Sequence, residues 1–262
     1  MKVKKPRKKK SNESNNSGIV ISTLPTSLVQ SDLLSSSLSS RVTKSQSYLS
    51  IGLNDKRTCK ECHMSYLKNS TADSRVHNIY HQRIVNGREW SLSWGEIIST
   101  LSPNELIVKI NSKKPAETKA TLEILETVNQ DLNAPDDNKF WLSDQDKGSV
   151  YVYIKNKTAI GIVSVEKIQN GRWFSIDDGK IVNDKSFNVM GGINRIFVVK
   201  SQRRNGIALS LLQHVQRFLI YGITIPKHQL AWSQPSFSGG KLASSFNGTK
   251  HKSGKILVPV YK

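Results

Sequence analysis

The chain has 262 residues, of which 37% are hydrophobic, and its formal net charge is +19. This length allows one substantial core and a smaller accessory unit. The sequence has no run of about 18 apolar residues and no apolar signal core behind its lysine-rich start, which argues against a membrane-spanning or secreted chain. We therefore expect a soluble, intracellular chain with an anionic partner, because a charge of +12 remains after the seven Lys/Arg of the first ten residues.

The N-terminal part, residues 1–55, is predicted to be a disordered tail. Its cationic block, Lys2–Lys10, is typical of a nuclear-import signal or a phosphate-backbone tether, and also of a solvated tail. Nine serines follow between Ser31 and Ser50, and such a segment buries too little apolar surface to offset its chain entropy. Gln30 and Leu33 have the spacing of a short clamp-binding peptide, but the aromatic pair expected after them is absent.

Four metal-ligating residues follow the tail. Two residues separate Cys59 from Cys62, fourteen more precede His77, and three separate it from His81. This matches the two-Cys two-His zinc pattern with a slightly long loop. Two thiolates on a tight turn and two imidazoles on one helix face complete a tetrahedron. Because four protein ligands leave no open position, the pattern predicts a structural zinc rather than a catalytic one.

The rest of the chain divides into a linker and an alternating α/β region. Residues 83–118 resemble a linker, and the two tryptophans of GREWSLSWG (Gly87–Gly95) predict that this piece docks on another surface. From about Glu117, helix-period and strand-period segments alternate, which predicts an α/β domain around a mixed sheet. The predicted elements are a helix through Leu122 and Leu132, a hairpin over Ser149–Ile168 turning at Lys155–Lys157, a strand at Ile193–Val199, a helix from Ala208 to Leu219, and strands in HQLAW and KILVPVY.

A short turn, Arg203-x-x-Gly206-x-Ala208, joins that strand to the second helix. The free N–H groups of a helix N-terminus, with the helix dipole behind them, form an anion cradle. Gly206 leaves room for a pyrophosphate against the backbone, and Ala208 keeps the next turn thin. Arg203 and Arg204 add positive charge. The glycine spacing is neither that of a Walker loop nor that of a Rossmann fingerprint.

At this turn the sequence resembles the GNAT acetyltransferase superfamily, whose Arg/Gln-x-x-Gly-x-Gly/Ala turn holds the pyrophosphate of acetyl-CoA. Over residues 56–262 it is similar, more narrowly, to the Eco/Esco cohesin acetyltransferases. The stretches that carry this resemblance are the long-looped finger, GREWSLSWG with Trp90 and Trp94, LNAP (Leu132–Pro135), INRIFV, RRNGIA, AWSQP (Ala231–Pro235) and GGKLAS (Gly239–Ser244). The resemblance implies a GNAT fold with a mixed central sheet. The implied division is a tail at 1–55, a zinc finger at 56–85, a linker or docking segment at 86–116 and a GNAT acetyltransferase domain at 117–262.

The resemblance also implies a function. Such an enzyme transfers acetyl from acetyl-CoA to lysines of an Smc subunit of cohesin, in the nucleus during S phase, and so establishes sister chromatid cohesion. The family also binds the sliding clamp through an N-terminal Gln-x-x-Leu element, which implies that role for Gln30 and Leu33. The implied acetyl-CoA contacts lie at the strand end and in the turn: Phe197, Val198, Val199, Arg203, Arg204, Asn205, Gly206, Ile207 and Ala208.

The catalytic base is the point at which this sequence departs from the family. No Asp or Glu occurs in Gly191–Lys262. Vertebrate members carry acids where this chain has Gln213 and Gln234, and a glutamine cannot accept a proton. We therefore expect the lysine proton to pass to water held by Ser233 and Gln234, or to a carboxylate of the substrate. Glu166 is a further, weaker candidate within the chain.

Two other functions are compatible with the sequence alone. A chromatin-associated nucleic-acid-binding protein without catalytic activity would grip phosphate with its finger, tail and basic face, and its affinity would depend steeply on salt. An inactive GNAT-like scaffold for the clamp would bind CoA weakly or not at all. The intact turn from Arg203 to Ala208 argues against the scaffold.

Overall fold

The computed structural model describes residues 55–137, 139–143, 147–182 and 185–261. The predicted disordered tail, including Gln30 and Leu33, lies outside the described residues except for Asp55. None of the helices in the described part of the chain has the length and apolar character needed to cross a membrane.

The described residues contain five α-helices and fourteen strands. The helices are α1 (Thr71–Val85), α2 (Pro115–Leu132), α3 (Phe140–Ser143), α4 (Ile207–Phe218) and α5 (Phe237–Asn247). The strands are β1 (Lys56–Thr58), β2 (Ser65–Leu67), β3 (Arg88–Glu89), β4 (Glu96–Ser102), β5 (Glu105–Lys109), β6 (Gly148–Lys155), β7 (Thr158–Lys167), β8 (Asn170–Ser175), β9 (Lys180–Ile181), β10 (Phe187–Asn188), β11 (Gly191–Val198), β12 (Leu230–Trp232), β13 (Thr249–Lys250) and β14 (Ile256–Val260).

The first elements form a small ββα unit. β1 and β2 pair antiparallel, and the turn between them contains both cysteines. α1 follows and begins after Ser70, whose hydroxyl accepts the backbone N–H of Asp73. A serine N-cap of this kind satisfies one of the free amides of the first helical turn. The unit therefore presents its cysteine turn and its helix side by side.

The other twelve strands form one mixed sheet, with nine in the order β10-β8-β14-β12-β11-β7-β6-β5-β4 and with β13 paired to β14, β3 to β7 and β9 to β8. The pairs β11–β12 and β12–β14 are parallel, and the remaining pairs are antiparallel. α4 packs on the centre of this sheet and buries Leu211, Leu212 and Val215 completely. α2 buries Leu125 and Val128. The predicted mixed-sheet α/β fold is confirmed, and the hairpin turns at Asn156 and Lys157.

The segment 86–116, predicted to be a linker or docking segment, is part of the sheet. It contains β3, which pairs with β7, and the β4–β5 hairpin, which extends the sheet beyond β6. Ile107 and Val108 are fully buried, and Trp90 is 3% exposed. β5 is only five residues long, and its partner β6 lies about 40 residues further along the chain, so no local pattern reveals the pairing.

The two central parallel strands separate along their length. β12 pairs with β11 only over Gly191–Ile193, and the backbone N–H of Ser233 then donates to the carbonyl of Ile193 at 3.0 Å. A β-bulge at Asn194 interrupts the pairing of β11 with β7 at the same level. Beyond it, the side of β11 that faces away from β7 has no strand partner among the described residues. The result is a V-shaped opening between β11 and β12.

Candidate functional site

The four predicted metal ligands come together in the ββα unit. One side-chain donor atom from each of Cys59, Cys62, His77 and His81 lies within 4.8 Å of the others. The Cys59 thiol is 3.4 Å from Nδ1 of His81. Nε2 of His77 is buried and has no hydrogen-bond partner in the described part of the chain. A buried imidazole nitrogen without a partner, facing two thiols and a second imidazole, is suited to a tetrahedral zinc.

Neighbouring groups prepare these ligands for a metal. The backbone N–H of Cys62 lowers the pKa of Cys59 to about 6, which favours the thiolate that binds zinc. Burial raises the pKa of Cys62. The Glu61 carboxylate lies 3.2 Å from Nε2 of His81, and such an outer carboxylate orients a metal-binding ring. The Tyr66 ring stacks on His77 at 4.1 Å.

The cysteine turn also contacts the segment that follows β11. The Lys200 ammonium donates to the carbonyl of Glu61 at 2.7 Å, and the Ser201 hydroxyl donates to the carbonyl of Val85 at 2.6 Å. Val199 separates Lys200 and Ser201 from the end of β11, and the predicted phosphate turn begins soon after them. The finger therefore lies against the segment that leads into this turn.

The phosphate turn has the conformation that its glycine predicts. Gly206 is the N-cap of α4 with a φ of +77°, in the left-handed region that favours glycine. No side chain caps α4, so the first-turn amides, from Ile207 to Leu209, have no partner within the helix. A side chain built at Gly206 would point into open space. The turn therefore offers an accessible row of N–H donors to an anion.

Arg203 lies closer to the strand than the sequence suggested. Its Nε donates to the carbonyl of Val198 at 2.9 Å, and its guanidinium lies 5.4 Å from the centre of the Phe197 ring. Arg204 and Asn205 are exposed. The positive rim thus comprises one arginine held against the end of β11 and one that is free to reach a ligand.

The predicted strand contacts face both sides of β11. The backbone N–H of Val199 donates to Ile160 of β7 at 2.9 Å. Because backbone groups alternate in direction along a strand, those of Val198 and Ile196 point into the V-shaped opening. Ile196 was not predicted as a site residue. The antiparallel register, which the sequence does not specify, is what identifies it.

The predicted catalytic turn lies at the closed end of the opening. Ser233 is 8% exposed, and its hydroxyl donates to the carbonyl of Asn194 at 2.9 Å, whereas Gln234 is exposed. His214 bonds the carbonyl of Ser210 within α4, as expected for a packed histidine. Trp232 belongs to the core. Ser233 is therefore fixed beside Asn194, and a water held by Ser233 and Gln234 stays a prediction.

A buried polar cluster beside Ser233 was missed by sequence reasoning. Arg195 is 7% exposed, donates to Asn129 at 3.0 Å and pairs with Asp137 at 2.7 Å. These bonds anchor the loop after α2, which contains LNAP, to the middle of β11. The only local sign of this cluster is an Asn-Arg pair inside an otherwise apolar strand.

Comparison with known proteins agrees with this geometry. Residues 187–258 match a family described as "ESCO1/2 acetyl-transferase", and residues 46–83 match "zinc-finger of acetyl-transferase ESCO". The chain is 42% identical to N-acetyltransferase ECO1 of Candida glabrata, over 82% of this chain and 93% of that protein. It is 37% identical to N-acetyltransferase ECO1 of Kluyveromyces lactis, over 78% and 90%.

The fold also resembles that of a solved acetyltransferase. The structure of the xEco2 acetyltransferase domain bound to a K105-CoA conjugate superimposes with a TM-score of 0.52 and 22% identity, over 62% of this chain and 96% of that chain. The zinc-ligand cluster lies within residues 46–83, which match the zinc-finger family. The V-shaped opening and the anion turn lie within residues 187–258, which match the acetyltransferase family. This chain belongs to the ECO1 family of N-acetyltransferases and is an acetyltransferase with an N-terminal zinc finger.

Proposed function

We propose that this protein transfers the acetyl group of acetyl-CoA to lysines of an Smc subunit of cohesin, in the nucleus during S phase, and thereby establishes sister chromatid cohesion. The observation that carries the proposal is the V-shaped opening between β11 and β12, with the Gly206 turn at its wide end and Ser233 at its closed end. An elongated ligand with a pyrophosphate at one end and a thioester at the other fits this arrangement.

Each part of the site has one binding task in this proposal. The free amides of the first turn of α4, with Arg203 and Arg204 beside them, bind the pyrophosphate. The inward-facing backbone groups of Ile196 and Val198 pair with the pantetheine amides along the open edge of β11. A backbone N–H on this edge also stabilises the charge that develops on the thioester oxygen.

The remaining predicted contacts support these groups. Phe197, Val198 and Val199 are buried and hold β11 in the sheet, while Asn205 and Gly206 shape the turn. Zinc bound by the two cysteines and two histidines would fold the finger. The sliding clamp remains a proposed partner through Gln30 and Leu33, which rests on their spacing alone, and the net charge favours DNA as a further partner.

The proposal is tested with purified protein, labelled acetyl-CoA and an isolated cohesin Smc head, with mass spectrometry of every lysine. Gly206→Asp places a negative charge against the phosphates, and we expect it to weaken acetyl-CoA binding roughly 100-fold. Gly222→Asp is the matched control, because Gly222 also has a left-handed φ, +74°, and open space around its Cβ position.

Specific acetylation of head lysines by the wild type and by Gly222→Asp, lost in Gly206→Asp, is the expected result. Acetyl-CoA binding that is equal in the two variants would contradict the assignment of the turn. A wild type that binds DNA with a steep salt dependence, and neither binds acetyl-CoA nor modifies the head, would favour a nucleic-acid-binding protein instead.

A further inference from the structure

We propose that Glu166 is the proton acceptor for the substrate lysine, with Asn194 and Tyr261 as the residues that position it. This inference rests on the proposed function, because it assigns a task at the closed end of the same V-shaped opening. It answers a question that the sequence raises, namely which group accepts the proton in a chain without Asp or Glu from Gly191 onward.

The closed end of the opening is built around Asn194. Strand pairing between β11 and β12 ends one residue earlier, at Ile193 and Trp232. The carbonyl of Asn194 accepts the Ser233 hydroxyl at 2.9 Å and the Arg195 guanidinium at 2.8 Å. Asn194 is itself 4% exposed and forms the β-bulge. A thioester that lies along β11 from the phosphate turn would end at this residue.

Glu166 reaches Asn194 from the neighbouring strand. Its Oε1 accepts the Asn194 side-chain amide at 2.7 Å and the Tyr261 hydroxyl at 2.8 Å. In the sheet register Glu166 lies opposite Gly192 on one side and Gly148 on the other. A Cβ at Gly192 would come within 2.7 Å of the Tyr261 ring, so the glycine is what allows the tyrosine to pack over the strand and reach the carboxylate.

The side-chain oxygen of Asn194 independently indicates that a ligand binds at this position. Oδ1 is buried and has no hydrogen-bond partner within the described ranges. A buried amide oxygen without a partner is costly, and sites of this kind are often completed by a ligand. An ammonium or amine N–H from a substrate lysine would satisfy it. The lysine nitrogen would then lie beside the amide group that also holds Glu166.

Other groups in the region are less suited to accept a proton. Asp137 is paired with Arg195 at 2.7 Å. Burial, together with the adjacent Glu166 carboxylate, raises the pKa of Tyr261, so its hydroxyl remains a donor at neutral pH. His214 packs within α4. Gly148 and Gly192, the neighbours of Glu166 in register, carry no charge.

The proposed reaction removes two protons from the substrate ammonium and replaces a C–S bond with a C–N bond. The substrate ammonium loses one proton to the Glu166 carboxylate through one water. The neutral amine attacks the acetyl carbonyl carbon, a C–N bond forms and the C–S bond breaks. The nitrogen loses its second proton, the departing CoA sulfur takes up one proton and leaves as the thiol, and Glu166 releases its proton to solvent.

The test compares Glu166→Gln with Glu126→Gln, a matched change at an exposed position of α2. Initial rates of acetyl transfer to the Smc head give kcat and KM, and acetyl-CoA affinity is measured by calorimetry. We expect Glu166→Gln to lower kcat by about 100-fold or more, with acetyl-CoA affinity and the KM for the Smc head unchanged. Glu126→Gln should behave as the wild type, and Glu166→Asp should recover part of the rate.

Tyr261→Phe keeps the ring and removes only the donor to the carboxylate. Because that hydrogen bond positions the carboxylate, its loss should lower kcat by about tenfold and leave acetyl-CoA affinity and the KM for the Smc head unchanged. This variant also serves if Glu166→Gln does not fold.

A kcat for Glu166→Gln within threefold of the wild type, together with an unchanged kcat in Tyr261→Phe, would overturn the inference and leave the proposed function intact. A wild type that binds acetyl-CoA but modifies no lysine of the head would remove both.

Discussion

The zinc finger and the acetyltransferase sheet are stabilised in different ways. Between Asp55 and Val85 only three side chains are buried, Cys62, His77 and Ile84, and two of them are zinc ligands. Val76 and Ile79 of α1 are 55% and 51% exposed. The sheet, by contrast, buries most of β6, β7 and β11 together with the inner face of α4. The finger therefore needs its metal to fold, whereas the sheet has a hydrophobic core of its own.

The largest expected effect comes from removing a zinc ligand. His77→Ala should abolish stoichiometric zinc and unfold the finger, since structural zinc contributes on the order of 10 kcal/mol to such units. Hydrogen exchange should show unprotected amides in α1 and protected amides in β6 and β7. Acetyl-CoA affinity should fall about tenfold, because Lys200 and Ser201 lose both partners in the finger.

The control for this variant is His228→Ala at an exposed position. Loss of protection in the sheet together with α1 would mean that the two regions fold as one unit, and the comparison would fail.

An intermediate effect is expected at the contact between the two regions. Lys200→Met removes the bond to the Glu61 carbonyl, together with the 3.8 Å ion pair with Asp131 of α2, and leaves all four zinc ligands in place. One hydrogen bond of this kind contributes about 1 kcal/mol, so acetyl-CoA affinity should fall about fivefold while zinc content stays at one per chain. Lys119→Met, on the exposed side of α2, should change neither quantity. Unchanged affinity in Lys200→Met would show that the finger and the phosphate turn are independent.

The smallest expected effect on stability concerns Glu105, the first residue of β5. Glu105 pairs with Lys155 at 2.7 Å and accepts the Tyr153 hydroxyl at 3.0 Å, and these contacts lower the pKa of Glu105. A lowered pKa means that the contribution to stability is complete above the ordinary value and is lost as the pH falls through the folded value. Glu105→Gln should therefore reduce the free energy of unfolding at pH 7 by less than about 1 kcal/mol.

Urea unfolding at pH 7 and at pH 3 measures this difference. The gap between Glu105→Gln and the wild type should shrink at the lower pH. A gap that is equal at both values would mean that the contacts of Glu105 contribute through packing and not through charge. At pH 7 the zinc content should be the same in both proteins, since Glu105 is not one of the four zinc ligands.

Local chemistry explains what was predictable. The spacing of Cys59, Cys62, His77 and His81 is set by a tight turn and one helix face, so the ligand cluster was predicted completely. The Gly206 turn was predicted because a strand, a glycine and an amphipathic helix are adjacent in sequence. The β6–β7 hairpin and α4 likewise follow from short-range periodicity.

Strand pairing between segments that are distant in sequence explains the features that the sequence did not predict. β4 and β5 were assigned to a linker or docking segment. Their place in the sheet depends on pairing with β6, which lies far along the chain. The role of Ser233 and Gln234 in holding a water stays a prediction; the structure buries Ser233 at the closed end of the opening and leaves Gln234 exposed.

By itself, the sequence determined the family, the zinc ligands, the anion turn and the element types of the central sheet, because each depends on residues that are neighbours in the chain. Only the tertiary structure decided that the finger contacts the segment before the turn, and that Glu166 and Tyr261, 95 residues apart, meet beside Asn194. Such contacts depend on strand register and on the close approach at Gly192, and neither leaves a periodic signal in the sequence.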